Sequence, residues 1–152
     1  MSIKTVNVVG YAKSNEQFVV KTENFDVRLG NNQNQSELDG PSPIEYILSG
    51  LAGCIHAVGT LVAKELNINL KSLQVEISGD LNLDRFLGNP TTERAGYQSI
   101  EVIIKPVADV SDETLQNWLD IVESRCPVSD NLINPTPVKL RLVTALETVI
   151  VQ

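Results

Sequence analysis

The stretch Gly40–Asn67, GPSPIEYILSGLAGCIHAVGTLVAKELN, constrains this chain more than any other. Ile44, Ile47, Leu48, Leu51, Ile55, Val58, Leu61, Val62 and Leu66 spread over most of a helical circumference, so no broad polar stripe remains. The start is well marked. Ser42 is a suitable N-cap, Pro43 fits the first helical position, and Glu45 completes a capping box. The end is softer: Lys64 and Glu65 precede Asn67-Ile68-Asn69, where asparagine can take a left-handed cap. Gly50, Ala52, Gly53, Ala57 and Gly59 are small, and glycine inside a helix costs about 1 kcal/mol relative to alanine. Several such residues predict that another backbone packs very close. The expectation is one long buried helix with Cys54 in the middle of its small-residue surface.

The remaining chain is long enough to cover such a helix. With 152 residues and 42% hydrophobic content it predicts one soluble globular domain over 1–152. The net charge of −7 argues against nucleic acid or an anionic membrane as partner. MSIKTVNVVGYAK has no long apolar run, which predicts no secretory signal; Glu45, His56, Lys64 and Glu65 argue against a membrane span. Two cysteines without a signal fit a reducing cytoplasm, where they are free, catalytic or redox-active rather than a structural staple. Two thiols and the single His56, without C-x-x-C or H-x-x-x-H spacing, predict no metal site, and no cofactor is expected.

Strands flank the helix. Val6, Val8 and Tyr11 alternate with polar residues; a turn at Ser14–Gln17 leads to Phe18-Val19-Val20; Phe25, Val27 and Leu29 alternate with Asp26 and Arg28. Asn31–Asp39 reads as a loop. Beyond the helix, Leu73, Val75, Ile77, Leu81 and Leu83 form one arm of a hairpin and Tyr97, Ile100, Val102 and Ile104 the other. Asp84–Gly96 joins them through the turn Gly88-Asn89-Pro90. Arg85 and Arg94 in this loop are either solvated charge or the holders of an anion. Val138, Leu140 and Leu142 alternate with Lys139 and Arg141 as a final strand within Pro137–Gln152.

Ser111–Arg125 predicts an amphipathic second helix, capped by Ser111 or Asp112, with Leu115, Trp118, Leu119 and Val122 on its apolar face. It runs into Arg-Cys-Pro-Val-Ser-Asp-Asn-Leu. Pro127 keeps Cys126 out of the helical basin, and a short helix starting there makes Cys126 its N-cap. Unpaired amides, the positive helix end and the adjacent Arg125 would lower the pKa of that thiol.

GPSPIEYILSGLAGC followed later by RCPVSDNL, with LNLDRFLG and ERAGYQSIEVII between them, resembles the OsmC/Ohr family of thiol-dependent hydroperoxide reductases. The resemblance runs from about Phe25 to Val143. It implies an α+β fold with antiparallel sheets, built as an intertwined homodimer around two buried central helices, with a site near the subunit interface. It also implies chemistry in which Cys54 attacks an organic hydroperoxide and Cys126 resolves the product, with a dithiol such as that of a lipoyl protein as reductant. The Ohr branch uses an arginine from the N-terminal strands and a glutamate early in the central helix. Here the helix position after Pro43 is Ile44, and the strand segment YAKSNEQFVV carries Lys13 instead of arginine. Glu45 is nine residues before Cys54 and, at about 100° per residue, lies on the opposite side of the helix. The Ohr-type pair is absent, and Glu45 is read as a capping residue.

Such chemistry needs a nucleophilic thiolate, a positive group to stabilise it, and a second thiol to trap the sulfenic acid. The cation is expected among Arg94, Arg125, Arg85 and Lys13, from either subunit, with Arg94 the first choice. His56 is about 200° from Cys54 around the helix, which predicts a packed or interface residue rather than a dyad partner. Two function classes follow: a peroxidase, or a module of the same fold that binds an apolar small molecule or senses redox state. A third reading makes both cysteines small core hydrophobes.

Overall fold

The computed structural model describes residues 3–12, 18–30 and 40–143. The central helix, α1 (Pro43–Glu65), begins with the expected capping box. The Ser42 N–H donates to Glu45 Oε2 at 2.7 Å, and the Glu45 N–H donates back to Ser42 Oγ at 3.4 Å. Asn67 closes the other end in the left-handed region, with φ 56°.

Three strands precede α1 in an antiparallel sheet of order β1 (Val9–Tyr11), β2 (Phe18–Lys21), β3 (Asp26–Leu29). The pairing runs through Gly10, Val20 and Val27. Val6 and Val8, expected in the first strand, lie before it. The sheet is tethered to α1 where Gly30 N–H meets Pro41 O at 2.9 Å and the Tyr46 hydroxyl donates to Arg28 O at 3.1 Å. Gly40 makes that junction possible: its φ is +67°, and a Cβ there would stand 2.6 Å from Arg28 O. The expected turn at Ser14–Gln17 and loop at Asn31–Asp39 lie outside the described residues.

After α1 comes a long antiparallel hairpin, β4 (Leu70–Leu81) with β5 (Tyr97–Ala108), with Val75 opposite Ile104 and Ile77 opposite Val102. The connection contains a short helix, α2 (Asp84–Leu87), where the sequence suggested only a turn. Helix α3 (Asp112–Arg125) is capped by Ser111 Oγ, which accepts from the Thr114 N–H at 3.2 Å. The predicted short helix follows as α4 (Pro127–Ile133).

The core lies between these layers. Leu51, Ile55, Gly59, Val62 and Ala63 form the buried stripe of α1, against Trp118 and Val122 of α3 and the inner face of the β4–β5 hairpin. The Trp118 indole N–H donates to Gly59 O at 2.9 Å, which satisfies the one polar group of a fully buried ring. Helix α1 is long and apolar enough to cross a bilayer, with a mean hydropathy of 1.6 over an 18-residue window. In this fold its buried stripe is the surface on which the core is assembled.

Two expectations need correction within the single chain. Helix α1 is not covered on most sides: Ile47 is 41% and Leu61 53% exposed, and a Cβ built on Gly50 or Gly53 meets nothing within 4 Å. The final strand does not form over residues 138–143, and Leu140 is 96% exposed. A strand exists only by pairing, and this segment finds no edge among the described residues; the part beyond Val143 lies outside them.

Candidate active site

Cys126 is both the last residue of one helix and the first of another. Its N–H donates to Glu123 O at 3.4 Å, closing α3, and its φ of −77° and ψ of 106° give the extended conformation that Pro127 demands. Its Sγ accepts the Ser129 N–H at 3.5 Å, as an N-cap side chain does. The thiol is 1% exposed. Cys54, half-buried near the middle of α1, packs against the same core. Both are free thiols, and Cys54 lies near enough to Cys126 to act on its ionisation. The α1–α3–α4 arrangement therefore brings together two thiols that are far apart in sequence.

The electrostatics at Cys126 differ from expectation. Burial pushes its pKa up, the Ser129 N–H opposes this, the Cys54 thiol raises it further, and the Val128 N–H lowers it slightly. The helix-end effect is real, but desolvation of the charged sulfur outweighs it. The amides of Val128 and Ser129 were not singled out in the sequence reading. The Cys-Pro junction was their signal, because an N-cap side chain necessarily faces the first-turn N–H groups.

The candidate cations have other surroundings in the single chain. Arg125 donates from Nη1 to Glu65 Oε2 at 2.7 Å, so its charge is paired and it does not act on Cys126. Arg85 donates to the carbonyls of Glu93 at 2.8 Å and Thr91 at 3.3 Å, holding its own loop. The Arg94 guanidinium folds over Gly96, with Nη2 3.0 Å from where a Cβ would stand, and has no carboxylate partner among the described residues. Lys13 lies outside the described residues. Glu45 is held below the usual carboxylate range by the Ser42 hydroxyl and then the Ser42 N–H, consistent with its capping role. His56 is exposed. It lines an open cleft of about 340 Å³ with Thr60, Lys64 and Ile68–Leu73, which includes neither thiol.

A pair of neighbouring thiols, one buried and one partly open, can undergo two-electron oxidation to a disulfide and be reduced again by thiol exchange. The chain is similar to several known proteins. A family model described as OsmC-like protein matches residues 32–141. A hydroperoxide reductase of Mycoplasma pneumoniae is 26% identical over 107 residues, which is 70% of this chain and 72% of that protein. A second hydroperoxide reductase, from Mycoplasma genitalium, is 23% identical over 82% of this chain and 84% of that protein. Among solved structures, an OsmC-like protein from Mycoplasma pneumoniae superposes with a TM-score of 0.75 at 22% identity, covering 87% of this chain and 89% of the other. An organic hydroperoxide resistance protein from Legionella pneumophila gives 0.63 at 14% identity, covering 87% and 91%.

Proposed function

The chain belongs to the OsmC-like protein family, and from that premise we propose that it is a two-cysteine thiol peroxidase acting on organic hydroperoxides. Its curated relatives named hydroperoxide reductase support a peroxide-related function. The observation that carries the finer reading is that the fold brings Cys54 and Cys126, far apart in sequence, to one core, near enough for one thiol to act on the other. The Cys54 thiolate attacks the outer oxygen of the hydroperoxide; the O–O bond breaks, the alkoxide takes a proton and leaves as alcohol, and Cys54 becomes a sulfenic acid. Cys126 then gives up its proton and attacks the Cys54 sulfur. Water leaves and a disulfide forms, to be reduced by an external dithiol. The raised pKa of Cys126 suits the second role, because it keeps that thiol protonated and inert until an electrophilic sulfenic acid lies beside it.

The working form is a homodimer in this reading. Three apolar surfaces support it: the open α1 face around Ile47, Gly50, Gly53 and Leu61, the exposed N-terminal sheet with Val9 at 61%, and the segment Val138–Leu142, which pairs with no strand among the described residues. Strands of three or four residues in an isolated small sheet are marginal in water without a packing partner. Cys54 borders the open α1 face, so a second copy would also close its surroundings and could bring Arg94 to its thiolate.

Single-cysteine variants test the division of labour. After a peroxide pulse, Cys126→Ser should accumulate a sulfenic acid on Cys54 and then over-oxidise. Cys54→Ser should consume no peroxide at a comparable rate. Rapid oxidation of Cys126 in the Cys54→Ser protein, with none of Cys54 in the other, would reverse the roles.

A further inference from the structure

The sulfur of Cys126 has two tasks that cannot both be fully met. In the reduced protein it is the side-chain acceptor for the Ser129 N–H and so the N-cap of α4. In the proposed reaction the same atom bonds to Cys54. A disulfide sulfur has no proton and cannot become a thiolate, and it is a weaker acceptor drawn toward its new partner. Water cannot easily take its place, because Cys126 is 1% exposed.

Helix α4 has little to compensate for this loss. It is seven residues long and contributes no fully buried residue to the core. Beyond the cap, it is held by the half-buried Val128 against the core, by the Asn131 Nδ2 bond to Pro127 O at 2.8 Å, by the Thr136 hydroxyl bond to Asn131 Oδ1 at 2.7 Å, by its own backbone bonds, and by the Asn134 contacts with Asp130. Its far end, Ile133, is exposed. Short helices are marginal without their caps.

We propose that α4 is a redox-coupled cover over the disulfide: oxidation of Cys54 and Cys126 uncaps it, and its first turn opens to let a dithiol reach the bond. This rests on the two-cysteine reading and adds to it a route for reduction. In the reduced state the Cys126 sulfur is closed to solvent while Cys54 is partly open, so the cover governs access from the Cys126 side of the bond. The uncapping ties its opening to the oxidised state. Reduction restores the thiol, the Ser129 N–H regains its acceptor, and the cover closes. In electron terms, one hydroperoxide takes two electrons from the two thiols to give alcohol, water and the disulfide; the dithiol returns two electrons and two protons and itself becomes a disulfide.

The test is amide hydrogen exchange of residues 127–134 in the full chain, reduced and after one equivalent of cumene hydroperoxide, with disulfide formation checked by intact mass. The α3 segment 112–125 serves as internal reference. Exchange in 127–134 should rise about fivefold or more on oxidation, the factor expected when a helix N-cap is lost, with α3 unchanged. Cys126→Ser keeps a capping hydroxyl and cannot form the disulfide, so its α4 should stay protected under peroxide; Cys54→Ser should behave likewise. A disulfide-bonded protein whose α4 is as protected as in the reduced form overturns this inference and leaves the proposed function standing. If neither peroxide nor diamide yields the Cys54–Cys126 disulfide, both fall together.

Discussion

Gly59 and Trp118 meet so closely that a Cβ at position 59 would force one of them to shift. The indole N–H donates to the Gly59 carbonyl at 2.9 Å, and a Cβ on Gly59 would lie 2.9 Å from Cζ2 of the ring. The ring is 1% exposed and has nowhere to go. This contact fixes how α3 crosses α1, and hence where Cys126, just beyond the end of α3, meets Cys54.

The glycines of α1 therefore divide into two kinds with opposite expected behaviour. Gly59→Ala gains about 1 kcal/mol of helix propensity but overpacks a buried ring at a cost of about 1–3 kcal/mol, so a net loss of stability is expected. Gly53→Ala meets nothing within 4 Å in its own chain, so in an isolated subunit it should stabilise by about 1 kcal/mol. If a second copy packs there, Gly53→Ala weakens the dimer instead. Thermal melts at several protein concentrations, with light scattering, separate the two cases. A folded wild-type monomer at micromolar concentration, with Gly53→Ala simply more stable, contradicts the homodimer.

The second prediction concerns pH. Cys126 is pushed up by burial, so the native state holds its proton more tightly than the unfolded chain does. The stabilisation is fully present below the unfolded thiol pKa of about 8.5 and is lost as pH rises from there through the folded value. Reduced protein should lose stability in denaturant titrations above about pH 8.5. Cys126→Ser should show a shallower decline over the same range, because its hydroxyl does not titrate there. An identical pH slope in the two proteins would show that Cys126 titrates alike folded and unfolded.

Much of this structure could be read from the chain beforehand. The capping box, the hairpin, the Ser111 cap and the Pro127 helix start are local features, set by residues within a turn of one another. The features that escaped depend on distant residues. The net pKa direction at Cys126 depends on what buries it, and the approach of Cys126 to Cys54 on the Trp118–Gly59 crossing. Alternation at Val138–Leu142 marked a willingness to pair but could not say with which edge. Circumferential hydrophobicity in α1 likewise predicted a covered helix without saying which chain covers each side. Arg125 looked suited to a thiolate by adjacency, yet it turns to Glu65 on α1.

The third prediction is about activation of Cys54. Arg85 and Arg125 have partners, whereas Arg94 has no carboxylate partner among the described residues. Arg94→Met should slow both Cys54 alkylation and peroxide consumption, because a nearby cation favours the reactive thiolate. The double variant with Cys126→Ser allows Cys54 to be followed alone. An unchanged alkylation profile removes Arg94 from the mechanism.

The central claim is that Cys54 and Cys126 act as one two-electron couple toward organic hydroperoxides. It is tested most directly by an anaerobic thiol count on the reduced protein, before and after one equivalent of cumene hydroperoxide, followed by peptide mapping. The account predicts that both thiols per chain disappear together with the peroxide, that dithiothreitol restores both, and that the mapped bond joins Cys54 to Cys126 within one chain. Two thiols still titrating beside unconsumed peroxide would contradict it.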